Sequence, residues 1–161
     1  MALISTKIYS QNDWRWTFKK VGYGPQVFGG FIKSLGWGVG CTVTCLTSLL
    51  FCAGTNLTPD QVNDRLLPVG GFLKDTPLLI WANVCKAFPQ LTLTGRYYNY
   101  DDVAVKALLA KGYPVLVNVT WGGGHWVLAL GDHMVMDPWD GKVKSFGTFQ
   151  PVGYTAYTWK K

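Results

Sequence analysis

The chain has 161 residues, a net charge of +6 and a hydrophobic content of 48%. Because only 15% of the residues are charged, the composition argues against a disordered chain, and the length predicts one domain over residues 1–161 with its own core. The basic residues are scattered singly or in pairs without an arginine-rich tract, so we expect no nucleic-acid binding.

Neither a signal peptide nor a membrane span is predicted. Residues 1–4 are too short for the apolar part of a signal peptide. The longest apolar run, residues 41–53, is interrupted by three threonines and a serine and is shorter than the ~20 residues that a span needs. We therefore expect a soluble protein, located in the cytoplasm or carried in a phage particle.

The first forty residues predict irregular or strand-like structure, and helices follow. The segment 41–53 is typical of a buried helix that ends at Gly54. Three further helices are predicted from N-terminal capping signals: one from Thr58-Pro59 to about Leu66, one from Thr76-Pro77 to about Phe88, and one capped near Asp101 that runs to Lys111.

From Pro114 onward the pattern changes to short apolar and β-branched runs separated by turn residues. The runs are VLVNVTW, HWVLALG and MVMDPW, with a last strand within 152–159. This pattern predicts an antiparallel meander. The fold class is therefore predicted to be α+β, with a helical first half packed on the sheet.

A hairpin in this meander brings two polar residues together. If HWVLALGDHMVMD turns at Gly131-Asp132, then His125 and Asp137 lie opposite each other or within one register step. Opposed side chains share one face of a sheet, at a separation that lets a carboxylate orient an imidazole. The alternative is a polar pair on a solvent-facing strand, without chemistry. The exposed turn residue His133 has no predicted role.

Three of the four cysteines lie in GVGCTVTCLTSLLFC, Gly38–Cys52. Cys41 begins the predicted helix, where the helix dipole and the free N–H groups stabilise a thiolate. Cys45 and Cys52 lie inside the helix, and we interpret them, with Cys85, as small buried apolar residues. Cys41 is the candidate nucleophile.

A disulfide or a zinc site fits the cysteine cluster less well. A disulfide between Cys41 and Cys45 would be strained, and no export signal points to an oxidising compartment. A zinc site would need a Cys-x-x-Cys or similar spacing, and the chain has only two histidines. We therefore expect no metal and no organic cofactor.

An ordered set of nucleophile, base and carboxylate in Cys41, His125 and Asp137 is typical of a cysteine hydrolase. Such an enzyme also needs hydrogen-bond donors for the oxyanion. The backbone N–H of Cys41 is one candidate, and the side-chain amide of Gln11, in YSQNDWRW, is the second.

The chain resembles the bacteriocin-processing-peptidase-like branch of the papain superfamily. The similarity lies in YSQNDWRW, GVGCTVTCLTSLL, TPDQV, GYPVLVNVTWGGGHWVLALG and MDPWDG, which occur in the family's order. The resemblance covers roughly residues 9–141 and implies a papain-like fold from a bacterium or phage. It implies Cys41 as nucleophile, His125 as base, Asp137 as its orienting partner and Gln11 in the oxyanion hole. Thr42 and Val43 replace the glycine and proline of many relatives, which implies a differently shaped cleft.

We therefore expect a cysteine peptidase or amide hydrolase that acts on a protein or peptide. Trp126, Trp139 and Gly124 are the predicted substrate-binding residues, because they adjoin the candidate catalytic residues. Aromatic walls and positive charge also fit peptidoglycan stem peptides as the substrate. The alternative is a non-catalytic binding or structural module, such as a phage virion or anti-defence component, that keeps the peptidase-like cleft.

Overall fold

The computed structural model describes residues 2–30, 38–121 and 124–161. Within these ranges the chain forms four α-helices and six strands. The helices are α1 (Cys41–Cys52), α2 (Pro59–Leu66), α3 (Trp81–Ala87) and α4 (Asp102–Ala110). The strands are β1 (Thr92–Tyr97), β2 (Val115–Val119), β3 (His125–Gly131), β4 (Met134–Asp137), β5 (Lys142–Ser145) and β6 (Pro151–Thr158). The α+β prediction is confirmed.

The strands form an open sheet in the order β1-β6-β2-β3-β4-β5, and each neighbouring pair is antiparallel. Helix α1 packs on one face of this sheet and α4 on the other. Two apolar clusters result. The α1 face holds Leu46, Leu128 and Tyr157, whereas the α4 face holds Val105 and Val127.

Helix α1 is the central helix of the fold, and nine of its twelve residues are buried. It begins after Gly40, where a Cβ atom would lie 2.5 Å from Cδ1 and 2.9 Å from Cα of Phe28, so only glycine fits. It ends before Gly54, whose φ of +89° is the left-handed conformation expected after a helix. The helix therefore has fixed ends, and its first residue is Cys41.

The capping signals of α2 and α4 are confirmed. Thr58 and Gln61 form a capping box at the start of α2, and the Asp101 side chain accepts a hydrogen bond from the Ala104 N–H at the start of α4. The predicted start of the third helix is wrong. Thr76 instead closes a turn, with its hydroxyl donating to the Leu73 carbonyl, and α3 begins five residues later at Trp81.

Two strands were not predicted, and the predicted hairpin turn is wrong by one residue. Strand β1 lies between two helices, and β5 alternates lysine with other residues, so neither has a clear apolar run. The β3–β4 turn is Asp132-His133, both with positive φ, so that Gly131 pairs with Met134. Type I′ turns need this conformation at both central residues, which Asp tolerates well.

Among the described residues, no helix has the length and apolar character to cross a membrane.

Candidate active site

The three residues predicted to form a catalytic set come from the start of one helix and from two neighbouring strands. Cys41 begins α1, His125 begins β3 and Asp137 ends β4. Cys41 is close enough to His125 to raise the pKa of the imidazole, and His125 Nε2 lies 2.8 Å from Asp137 Oδ1. The structure thus brings Cys41, His125 and Asp137 into one chain of contacts.

The contact between His125 and Asp137 crosses two strands diagonally. The register pairs Leu128 with Met136, so Asp137 lies nearly opposite Val127, two residues from His125. Diagonal neighbours share a face at roughly 7–8 Å, a distance that an imidazole and a carboxylate can bridge together. Because Nε2 is held by Asp137, Nδ1 is the ring nitrogen left to face Cys41.

Burial and hydrogen bonding have opposite effects on the pKa of His125. The residue is only 4% exposed, and burial by itself lowers the pKa of the imidazole. Hydrogen bonds to Asp137 and Cys41 outweigh burial and raise the pKa of His125 to about 9. A protonated imidazole between two acceptors is the state that stabilises a thiolate at Cys41.

Asp137 is held as a carboxylate by three donors. Burial favours its neutral form, but hydrogen bonds from His125, Lys144 and the Trp139 N–H lower its pKa to about 2. The Trp139 N–H donates to Oδ1 at 2.9 Å, and Lys144 Nζ lies 2.6 Å from Oδ2. Lys144 also contacts Asp140 Oδ2 at 2.9 Å. Both carboxylate oxygens are therefore fixed, and the one facing His125 cannot rotate away.

Gln11 lies in the N-terminal segment, next to the start of α1. It is 1% exposed, and its Nε2 donates to the Phe28 carbonyl at 2.9 Å. The Gly40 N–H donates to the same carbonyl at 3.1 Å. The Gln11 amide and the residue preceding Cys41 therefore share one acceptor. One N–H of the amide remains for another acceptor, as does the Cys41 N–H, which has no acceptor within the helix.

The N-terminal segment is tied to the β4–β5 turn by a set of polar contacts. The Gln11 N–H donates to the Pro138 carbonyl at 2.7 Å, and the Trp139 carbonyl accepts from Ser10 Oγ and Asn12 Nδ2. Asn12 Oδ1 in turn accepts from the Gly30 N–H at 2.8 Å. These bonds explain the Ser-Gln-Asn run and hold Gln11 beside the His125–Asp137 pair.

Aromatic rings cover the outer side of His125. The Trp121 ring lies 4.9 Å from the His125 ring and 5.7 Å from the Trp139 ring, between ring centroids. Trp121 is 45% exposed, so this wall faces solvent. Gly124 lies beside it with φ +116°, and a Cβ there would meet none of the described residues within 4 Å. Of the predicted binding residues, Trp139 thus belongs to this aromatic wall and Gly124 lies close to His125 in the chain.

Trp126 lies on the other face of β3. Successive strand residues point to opposite faces, and the Trp126 ring packs against Trp81, with 4.9 Å between centroids, on the α1 side. Its carbonyl accepts a hydrogen bond from Cys45 Sγ at 3.5 Å. Trp126 therefore adjoins the site through its backbone, and its role in substrate binding stays a prediction.

The remaining cysteines differ from Cys41. All four thiols are free, and burial raises the pKa of Cys45, Cys52 and Cys85. Cys45 is fully buried among the core residues. Val43, on the same helix, is also in the core rather than on a surface. Within the described ranges, no group of three or more His, Cys, Asp or Glu side chains is placed to hold a metal ion.

Sequence analysis missed Lys144 and did not place Trp121 against His125. A signal for Lys144 exists in MDPWDGKVK: a hairpin that pairs Asp137 with Lys142 places Lys144 on the same face as Asp137. Trp121 lies just after β2, whose last residue, Val119, pairs with His125. Recognising this pairing would have placed the indole near the imidazole.

The chain was compared with models of protein families, with curated proteins and with solved structures, and nothing matched in any of the three.

Proposed function

We propose that the protein is a papain-like cysteine peptidase or amide hydrolase, whose substrates are proteins or peptides. The observation that carries this proposal is the buried His125–Asp137 pair, with 2.8 Å between Nε2 and Oδ1, next to Cys41 at the start of α1, which raises the pKa of the imidazole. A nucleophile, a base and an orienting group in mutual reach form the arrangement that acyl transfer requires.

In the proposed reaction, the Cys41 thiolate attacks the carbonyl carbon of the scissile amide. The negative charge moves to the carbonyl oxygen, where the Cys41 N–H and the Gln11 amide donate hydrogen bonds. The His125 imidazolium then gives its proton to the departing amine, which leaves an acyl-enzyme on Cys41. His125 next removes a proton from water, whose oxygen displaces the thiolate and releases the acid.

Three features of the structure support this proposal. The N-terminus of α1 has no side-chain cap and no acidic residue in its first turn, so its N–H groups are open to an oxyanion. Gln11 is fixed next to that N-terminus by hydrogen bonds on both its backbone and its side chain. Trp121, 45% exposed and 4.9 Å from the His125 ring between centroids, offers a solvent-facing aromatic surface to a peptide beside His125.

The test compares wild type with Cys41→Ala and Cys52→Ala on a mixture of peptides, with new N-termini identified by mass spectrometry. Both cysteines lie at ends of α1 and both are free thiols, so Cys52→Ala is the matched control. We expect cleavage by wild type and Cys52→Ala, and none by Cys41→Ala. If Cys41→Ala cleaves as well as wild type, the mechanism is wrong. If no protein in the set cleaves any peptide and Cys41 reacts as an ordinary thiol, the chain is a non-catalytic binding module.

A further inference from the structure

A second cluster of polar and aromatic side chains lies on the α1 face of the sheet, next to the start of β3. Arg96 of β1 reaches across the sheet toward Trp126, and its guanidinium carbon lies 4.8 Å from the Trp126 ring centroid. The Tyr98 ring lies 4.2 Å from the same carbon. The guanidinium is therefore held between two aromatic rings, one of which follows His125 directly in the chain.

Glycine in β6, one of the two strands between Arg96 and Trp126, makes this reach possible. Gly153 of β6 pairs with Asn118 of β2, and Asn118 pairs with Trp126. A Cβ atom on Gly153 would lie 2.9 Å from Arg96 Nη1 and 2.5 Å from the Tyr97 carbonyl oxygen. Glycine inside a strand commonly marks such a close approach of another group. Any larger residue at 153 would displace the guanidinium.

Arg96 lacks a charged partner within the described ranges. The other arginine that stacks on an indole, Arg15, forms an ion pair with Asp13 at 2.7 Å. Among the described residues, Arg96 donates to the Tyr97 carbonyl alone, and none of the groups there that affect its charge is a carboxylate. Partial burial lowers the pKa of Arg96, yet a guanidinium stays charged at neutral pH. The remaining N–H groups of the fork are thus free to bind an anion.

Asn118 adds a neutral donor to the same surface. Directly paired residues on antiparallel strands share a face, so its side chain lies beside the Trp126 ring. The side chain is half-buried, and it forms no hydrogen bond with another described residue. A guanidinium fork and an amide above an indole match a planar carboxylate, which accepts two parallel hydrogen bonds from arginine.

We infer that Arg96, Asn118, Trp126 and Tyr98 form a carboxylate-binding subsite next to the catalytic centre, which selects peptides that carry an acidic side chain. The selection of substrates rests on the proposed function, but the binding does not, since the subsite binds acidic peptides whether or not Cys41 cleaves them. Charge-assisted hydrogen bonds to a guanidinium typically change affinity by about 10- to 100-fold.

The test uses the blocked tripeptides acetyl-Gly-Glu-Gly-amide and acetyl-Gly-Gln-Gly-amide, which differ by one charge. Each is titrated against the full chain while the rate of Cys41 alkylation by iodoacetamide is followed by mass spectrometry. We expect the Glu peptide to protect Cys41 at a concentration at least about 10-fold lower than the Gln peptide needs. Arg96→Gln should remove this difference. Arg65→Gln, which removes the same charge from the exposed last turn of α2, should keep it.

Nuclear magnetic resonance of the Arg96 Nε–H and Trp126 indole N–H signals reports binding without any chemistry. Both signals should shift with the Glu peptide at the concentration that protects Cys41. Equal protection by both peptides, or a preference that survives in Arg96→Gln, would overturn the inference, as would shifts without protection of Cys41. A Glu preference in a protein that cleaves nothing would uphold the subsite and refute only the proposed function.

Discussion

His125 Nε2 lies 2.8 Å from Asp137 Oδ1, and both side chains are almost completely buried, at 5% and 2% exposure. Burial removes water that would otherwise compete for the two groups, so each depends on its protein partners. Lys144 and Trp139 satisfy the rest of the carboxylate, and Cys41 faces the rest of the imidazole. The pair is therefore part of a larger network, and substitutions of its outer residues should change the pKa of His125.

Lys144→Met should raise the pKa of His125. The lysine ammonium repels the imidazolium and shares the Asp137 carboxylate with it, so its removal strengthens the hold of Asp137 on the protonated ring. We expect an upward shift of up to about one unit in an NMR titration of the imidazole nitrogens. His133, an exposed turn residue, is the internal reference and should not move. An unchanged or lowered pKa of His125 would show that Lys144 does not act on the pair.

His125→Gln should destabilise the protein most in mildly acidic solution. The pKa of His125 is raised to about 9 in the folded state, because the hydrogen bonds to Asp137 and Cys41 outweigh the effect of burial. The protonated ring therefore stabilises the fold fully below the unfolded pKa of about 6.5, and this contribution is lost as the pH rises through 9.

Urea unfolding of wild type and His125→Gln at pH 6 and pH 10 measures this effect. The difference in free energy of unfolding should be on the order of 3 kcal/mol larger at pH 6 than at pH 10, from 1.36 kcal/mol per pKa unit. A difference that is the same at both pH values would mean that the imidazole is not charged in the folded protein near neutrality.

Gln11→Ala should slow turnover without changing the reactivity of the thiol. If the amide donates to the oxyanion, its removal costs about 10²- to 10³-fold in kcat with little change in KM. Alkylation of Cys41 by iodoacetamide forms no oxyanion in its transition state. Its rate in Gln11→Ala should therefore stay within about twofold of the wild-type rate. Equal losses in both rates would assign Gln11 a structural role, through its bond to the Phe28 carbonyl.

The sequence was sufficient to predict α1, α2 and α4, because each has a glycine or a capping residue at its ends. The sequence was less informative for elements whose structure depends on contacts with distant parts of the chain. Strand β1 is half-exposed at the sheet edge, and its pairing with β6, some sixty residues later, has no local signal. Thr76-Pro77 has the residue types of a helix start, but Thr76 bonds back to Leu73 and closes a turn instead.

The residues of the candidate site also differ in how far the sequence could predict their positions. The prediction placed His125 and Asp137 together, but a regular two-residue turn at the predicted or the observed position would put them on opposite faces of the sheet. They share a face because the register shifts between Ala129 and Gly131, so that Leu128 pairs with Met136. Lys144 depends on the β4–β5 pairing, for which the turn residues in MDPWDGKVK are a signal but the short, lysine-containing β5 is not. Arg96 could not be placed at all from the sequence, since its contact with Trp126 crosses β6 and β2.

The most direct test of the proposed Cys41–His125 pair is the pH dependence of iodoacetamide alkylation, read for each of the four cysteines by mass spectrometry. Cys41 should react fastest of the four at pH 6, because the protonated His125 imidazole beside it stabilises the thiolate form. His125→Ala should remove that advantage, while Cys45, Cys52 and Cys85 stay slow in both proteins. If Cys41 reacts no faster than Cys52 at pH 6, or reacts equally fast without His125, the two residues do not form a catalytic pair.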